Sequence, residues 1–184
     1  MSFERLRRAA LILLVLSVAT LPAGSTVLVT VDEALGLAFP KCEIERETIF
    51  LTKQQLASAR ELSGESVTRA LTVRHVARAE GRLVGTAYFD VHLVRTLEET
   101  LFVVVKPDGT LGRVEVLSFD EPLDYLPREG WYRQFDGEAL DADLQINRAI
   151  HAVTGATLTA EAAMAAARRV LAVHEVIEQQ GRAR

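Results

Sequence analysis

Leu101-Phe102-Val103-Val104-Val105, then Lys106-Pro107-Asp108-Gly109, then the run from Leu111 to Leu117 decide the fold of this 184-residue chain. Five consecutive apolar residues, three of them β-branched, read as a strand buried on both faces. Pro presets φ, Asp bonds the backbone ahead of it and Gly accepts positive φ, so the next four residues are a tight turn. Hairpin spacing requires the second run to pair antiparallel with the first. The first strand, over Thr100–Val105, is therefore central and covered by helices.

Working back from this hairpin, Val67–Ala77 and Leu83–Val94 keep a period of two and meet across Glu80-Gly81, which makes a second hairpin. Farther upstream, Thr30-Val31-Asp32-Glu33 and Thr52-Lys53-Gln54-Gln55 each have the spacing of a capping box. The first opens a short helix over Ala34–Phe39, stopped by Pro40; the second opens a helix to about Leu62, stopped near Gly64. Glu43–Leu51 alternates charged and apolar residues and is a loop or a short strand. Downstream, Asp141–Ile150 is expected to be a short helix. Ala160–Gln179 is a long one, with Ala163, Met164, Ala167, Val170, Leu171, His174 and Ile177 forming a core-facing stripe. The fold class is α+β: an antiparallel sheet of four or more strands covered by helices, with a long C-terminal helix.

Composition narrows the function. A hydrophobic fraction of 49% supplies a sizeable core and argues against disorder. The formal charge is −4; Glu4, Arg5, Arg7 and Arg8 carry +2 of it, which leaves −6 on the body. An acidic body without a basic stripe excludes nucleic acid as a partner. Residues 1–25 read as a signal peptide or an N-terminal membrane anchor, with a basic start and an apolar run from Ala9 to Leu21. Either way the body, residues 26–184, is expected outside the cytoplasm, periplasmic or anchored in the inner membrane. Cys42 is the only cysteine, so no disulfide forms within the chain. His75 and His92 are placed to face each other across the first hairpin, but without a carboxylate or cysteine cluster they make a poor metal site.

The chemistry concentrates in Thr154-Gly155-Ala156-Thr157-Leu158-Thr159, just before the long helix. Small residues allow close backbone approach, and the first turn of a helix offers unpaired N–H groups and a partial positive charge. A phosphate sits well at such a place. A Thr hydroxyl there caps the helix, hydrogen-bonds a phosphate or is esterified to one; spacing alone does not choose among these.

Thr154-Gly155-Ala156-Thr157 resembles the S/T-G-A-T motif of FMN-binding domains, found in sodium-pumping NADH:quinone oxidoreductases, Rnf-type complexes and small exported redox proteins. The resemblance covers about residues 26–178. It implies a domain whose FMN is attached by a phosphoester to the last Thr of the motif, here Thr157, by a flavin transferase acting outside the cytoplasm. Thr154, Gly155, Ala156, Leu158 and Thr159 would shape the surroundings. The family usually has Asp three residues before the motif, where this chain has His151. The stretch Phe119–Gly137, rich in aromatic residues and Pro, is the expected wall of a ligand pocket, and the resemblance adds Glu121, Pro122 and Trp131 as flavin neighbours. In the respiratory members the corresponding loop is Gly-rich, whereas here it reads Glu121-Pro122-Leu123-Asp124. Trp131 and Phe135 alternatively plug the sheet's edge.

The implied function is an exported or membrane-tethered flavoprotein that relays electrons to or from haem proteins or quinol oxidoreductases. No acid–base pair or activated nucleophile stands out, which favours a carrier over a turnover enzyme. The alternatives are a non-redox binding or assembly module of the same fold and a flavin-dependent reductase of ferric chelates.

Overall fold

The computed structural model describes residues 26–182; the leader expected over residues 1–25 lies outside them. Six antiparallel strands lie in the order β1-β6-β5-β4-β3-β2. They are β1 (Thr26–Val27), β2 (Glu43–Phe50), β3 (Leu71–Ala79), β4 (Arg82–Leu93), β5 (Glu98–Val105) and β6 (Leu111–Phe119). The helices are α1 (Val31–Ala38), α2 (Lys53–Ser63), α3 (Glu129–Tyr132) and α4 (Thr157–Arg182). The α+β class and the long C-terminal helix are as the sequence predicts. Among the described residues no helix is long and apolar enough to cross a membrane.

Alternation along β5 builds both layers. Leu101, Val103 and Val105 point to one face and pack with β6 residues and with Ala163, Ala166, Ala167 and Val170 of α4. Phe102 and Val104 point to the other face and meet Ala34, Leu35 and Phe39 of α1. Ala163, Ala166 and Ala167 of α4 are fully buried, so the helix axis lies close to the sheet. On the opposite face Gly85 makes room for α1: a Cβ there would come within 3.1 Å of the Phe39 ring and of the Val105 carbonyl. α2 packs along α4, with Leu51, Ala59 and Val67 against Val173, Val176 and Ile177.

Both capping boxes are formed. Thr30 accepts from the Glu33 N–H at 3.3 Å and Thr52 from the Gln55 N–H at 3.2 Å. α2 ends on Gly64 in the left-handed conformation, φ 70°. The ambiguous Glu43–Leu51 segment is an edge strand, mostly exposed, and its charges discourage further pairing.

Three expectations are corrected. Asp141–Ile150 is not a helix but a series of turns, because side chains compete for the backbone. The Asp141 carboxylate accepts from the N–H groups of Asp143 and Leu144, and Asn147 takes φ 65°. Arg168 then gathers the carbonyls of Asp141, Leu144 and Ser63. Next, β3 starts at Leu71 rather than Val67, since Val67 is drawn into the α2–α4 cluster. Finally, His75 is opposite Ala87, not His92, and His92 is opposite Glu99 on β5.

Candidate functional site

The motif turns and then starts the helix. Thr154-Gly155 form the turn, with Gly155 at φ 86°, a conformation that favours glycine. The Ala156 carbonyl accepts the first helical bond from the Ala160 N–H at 3.0 Å. Ala156 therefore occupies the capping position and has no side-chain oxygen to offer. The N–H groups of Thr157, Leu158 and Thr159 consequently have no acceptor among the described residues. They open into a cleft of about 250 Å³ lined by Arg95, Tyr125 and the residues from Gly155 to Thr159.

The three threonines differ. Thr154 is exposed on the turn. Thr157 is exposed at the first helical position, and its hydroxyl makes only a 3.5 Å contact with the Val153 carbonyl. Thr159 is buried and donates to the Tyr125 carbonyl at 2.6 Å, tying the aromatic-rich loop to α4. Leu158 is exposed and Ala156 buried.

Arg95, which the sequence reading passed over, supplies the cation. Its guanidinium carbon lies 4.8 Å from the centre of the Tyr125 ring. Its position is set by Glu121, whose Oε1 accepts from the Thr96 N–H at 2.9 Å, the Thr96 hydroxyl at 3.2 Å and the Leu97 N–H at 3.1 Å. Those bonds, led by the Thr96 N–H, hold the Glu121 carboxyl below its ordinary range. Glu121 thus acts on the cleft through the β4–β5 turn and does not line it. Pro122 is exposed, and its carbonyl accepts from the Tyr125 N–H at 2.9 Å, closing the turn that presents Tyr125.

Trp131 is a brace. Its indole N–H donates to the His151 carbonyl at 2.7 Å, while the His151 N–H donates to Gln134 Oε1 at 2.7 Å. Two side chains of one loop thereby fix the backbone leading into the motif. Phe135, fully buried, packs edge-on against Trp131 in the main core. The His151 side chain is exposed.

A second polar constellation lies under α4. His92 Nδ1 is 2.9 Å from Asp90 Oδ1 and its Nε2 is 3.0 Å from Glu99 Oε2. Arg169 donates to Asp90 at 2.7 Å and the Tyr132 hydroxyl donates to Glu99 at 3.4 Å. Burial disfavours the His92 cation, but bonds to Asp90 and Glu99 outweigh it and raise the imidazole above its usual value. Burial raises the fully enclosed Glu99, whereas His92 and Arg169 overcome burial at Asp90 and lower it. Both imidazole nitrogens face carboxylates, and among the described residues no group of His, Cys, Asp or Glu has metal-ligating geometry. Only partner distances reveal this network; Asp90 and His92 are two apart on one strand, but nothing in the sequence brings Glu99 and Arg169 to them.

No protein-family model, curated protein or solved structure matches the chain.

Proposed function

We propose that this protein is an exported or membrane-tethered flavoprotein that relays electrons, its FMN phosphate held at the start of α4 and esterified to Thr157. The observation that carries this reading is the exposed Thr157 hydroxyl beside uncapped helix N–H groups, in a cleft that Arg95 also lines. The donor set suits a phosphate: amides, a hydroxyl and a guanidinium, with a helix dipole of the right sign.

The cleft fits one end of the cofactor. At about 250 Å³ it is smaller than the roughly 300–1,000 Å³ of pockets that enclose whole ligands. It has room for a phosphate and part of a ribityl chain, which leaves the ring accessible to a partner protein. Bound FMN supplies one- or two-electron chemistry, linking haem proteins to two-electron donors such as quinols. The chain's own residues bind and orient. Arg95 and the amides of Thr157, Leu158 and Thr159 take the phosphate charge, Gly155 gives the backbone its turn, and Thr159 and Pro122 hold Tyr125 at the cleft wall.

Magnitudes favour a covalent link. The helix terminus contributes about 0.3–1 kcal/mol and one charge-assisted hydrogen bond about 1.5–3 kcal/mol. Such contacts must also meet a cost of association of about 4–15 kcal/mol, so a reversible complex loses its cofactor to dilute surroundings and an ester does not. An ester forms when Thr157 Oγ1 bonds to phosphorus of an activated flavin phosphate and its proton leaves with the displaced group. A flavin transferase is the implied catalyst. Coexpression with an exported flavin transferase tests the proposal: the protein gains the mass of FMN less one water, whereas an unchanged mass without bound flavin refutes it.

A further inference from the structure

The sheet comes apart at one place. β3 and β4 pair from Arg74 and Tyr88 to Ala79 and Arg82. Beyond Tyr88, β4 continues to Leu93 beside β5, while β3 begins at Leu71 beside β2. Between these ends is an open cavity of about 710 Å³, bordered by Arg169, Val170 and Val173 of α4 and by the segment Ser66–Arg69. Alternate residues of Phe89–Leu93 direct N–H and C=O away from β5, with no β3 partner to receive them. Beneath α4 the apolar wall is Val67, Val170 and Val173, while Val73 and Val91 border the opening from the other sheet face. The volume is within the range of sites that enclose small ligands.

Charge selects the kind of ligand. Asp90 pairs with Arg169 and Glu99 with His92, so the buried charges cancel in pairs. The two remaining lining charges, Arg69 and Glu98, are exposed and opposite. A net charge on the ligand would therefore be desolvated without a matching partner, which is costly. The free edge of β4 and the threonine hydroxyls offer donors and acceptors alike, and one group in the cavity can only donate: the Arg169 guanidinium. Arg169 spends Nε and Nη2 on Asp90, and its Nη1 has no partner among the described residues. Thr68 and Thr72 add hydroxyls, and the free edge of β4 adds N–H and C=O groups. Burying a cation–carboxylate network costs several kcal/mol, and here it borders a cavity rather than solid core.

We infer that this cavity binds an uncharged, apolar ring compound through a carbonyl oxygen, with Arg169 Nη1 as the fixed donor and Val170 and Val173 against the ring. Quinones have this chemistry. The inference rests on the opening between β3 and β4 and is independent of the flavin site.

Duroquinone is the probe. Its controls are durene, which keeps the methylated ring without the carbonyls, and trimethylbenzoate, an anion of similar size. Binding to the full chain is read by calorimetry and by chemical-shift changes at the Val170 and Val173 methyls and the His92 ring. Duroquinone is expected to bind at least about tenfold more tightly than either control, the difference one charge-assisted hydrogen bond makes. Arg169→Lys keeps a cation for Asp90 but removes the free guanidinium nitrogen, and should weaken duroquinone about tenfold while leaving durene unchanged. Thr72→Trp fills the cavity from the α4 face and should abolish binding with the Arg169–Asp90 pair intact, so the wild-type selectivity and this variant decide the matter even where the lysine variant does not fold. No duroquinone binding, equal binding of durene, tighter binding of trimethylbenzoate, or shifts confined to other residues would each overturn the inference.

Discussion

The Arg95 guanidinium stands 4.8 Å from the centre of the Tyr125 ring, and both residues border the cleft at the first turn of α4. A cation laid on an aromatic face keeps its outward N–H groups available while losing little freedom on binding. Arg95→Met should weaken FMN binding about tenfold, the effect of one lost charge-assisted hydrogen bond. Amide shifts of Thr157 and Leu158 measure it; FMN should move them in the wild type, and riboflavin, which has no phosphate, should not.

Glu121 and the β4–β5 turn give a second test. One carboxylate oxygen accepts three hydrogen bonds from Thr96 and Leu97. Glu121→Gln should speed amide exchange at Thr96 and Leu97 without altering exchange in β5, and weaken FMN binding through Arg95. The carboxyl sits below its usual range, so the clamp is whole above the ordinary carboxylate pKa and is lost as pH falls through the lowered value.

Thr159 joins the loop to the helix through one short, buried bond to the Tyr125 carbonyl. Thr159→Val keeps the shape and leaves that carbonyl without its donor, a loss of about 1–2 kcal/mol. Urea denaturation measures it, and the Tyr125 ring resonances should shift in the folded variant.

The buried network sets a pH profile for stability. His92 titrates above 6.5 in the folded state, so its contribution is complete below 6.5 and is lost as pH rises through the folded value. Asp90 titrates below 3.8, so its contribution is complete above 3.8 and is lost as pH falls through the folded value. Glu99 titrates above 4.5, so its burial costs stability as pH rises from 4.5 through its folded value. Unfolding free energy should therefore decline on the acid side through the Asp90 value and on the alkaline side through those of Glu99 and His92. His92→Gln should remove the His92 part of the alkaline decline, leave the Glu99 part, and cost about 3–5 kcal/mol near neutral pH, since Glu99 is left buried without its cation.

Much of this was legible in the residues because local rules and packing agree. The apolar run at Leu101 specified the central strand, Pro107-Asp108-Gly109 its turn, and Thr30 and Thr52 the starts of α1 and α2. Asp141–Ile150 misled because helix-forming residues there are outbid by the Asp141 carboxylate and by Arg168, which is distant in sequence. Thr157 and its small neighbours announced the cleft, but Arg95 did not, since an isolated arginine in a strand connection carries no local signal. Trp131 was legible as important and not as a brace: its indole reaches a carbonyl twenty residues on.

Intact-mass measurement of protein coexpressed with an exported flavin transferase tests the central claim most directly. The wild type and Thr157→Ser should each gain one FMN less one water, with the modification mapped to residue 157, and Thr157→Val should gain nothing. Unmodified wild type without bound flavin, or an undiminished adduct in Thr157→Val, would contradict the account.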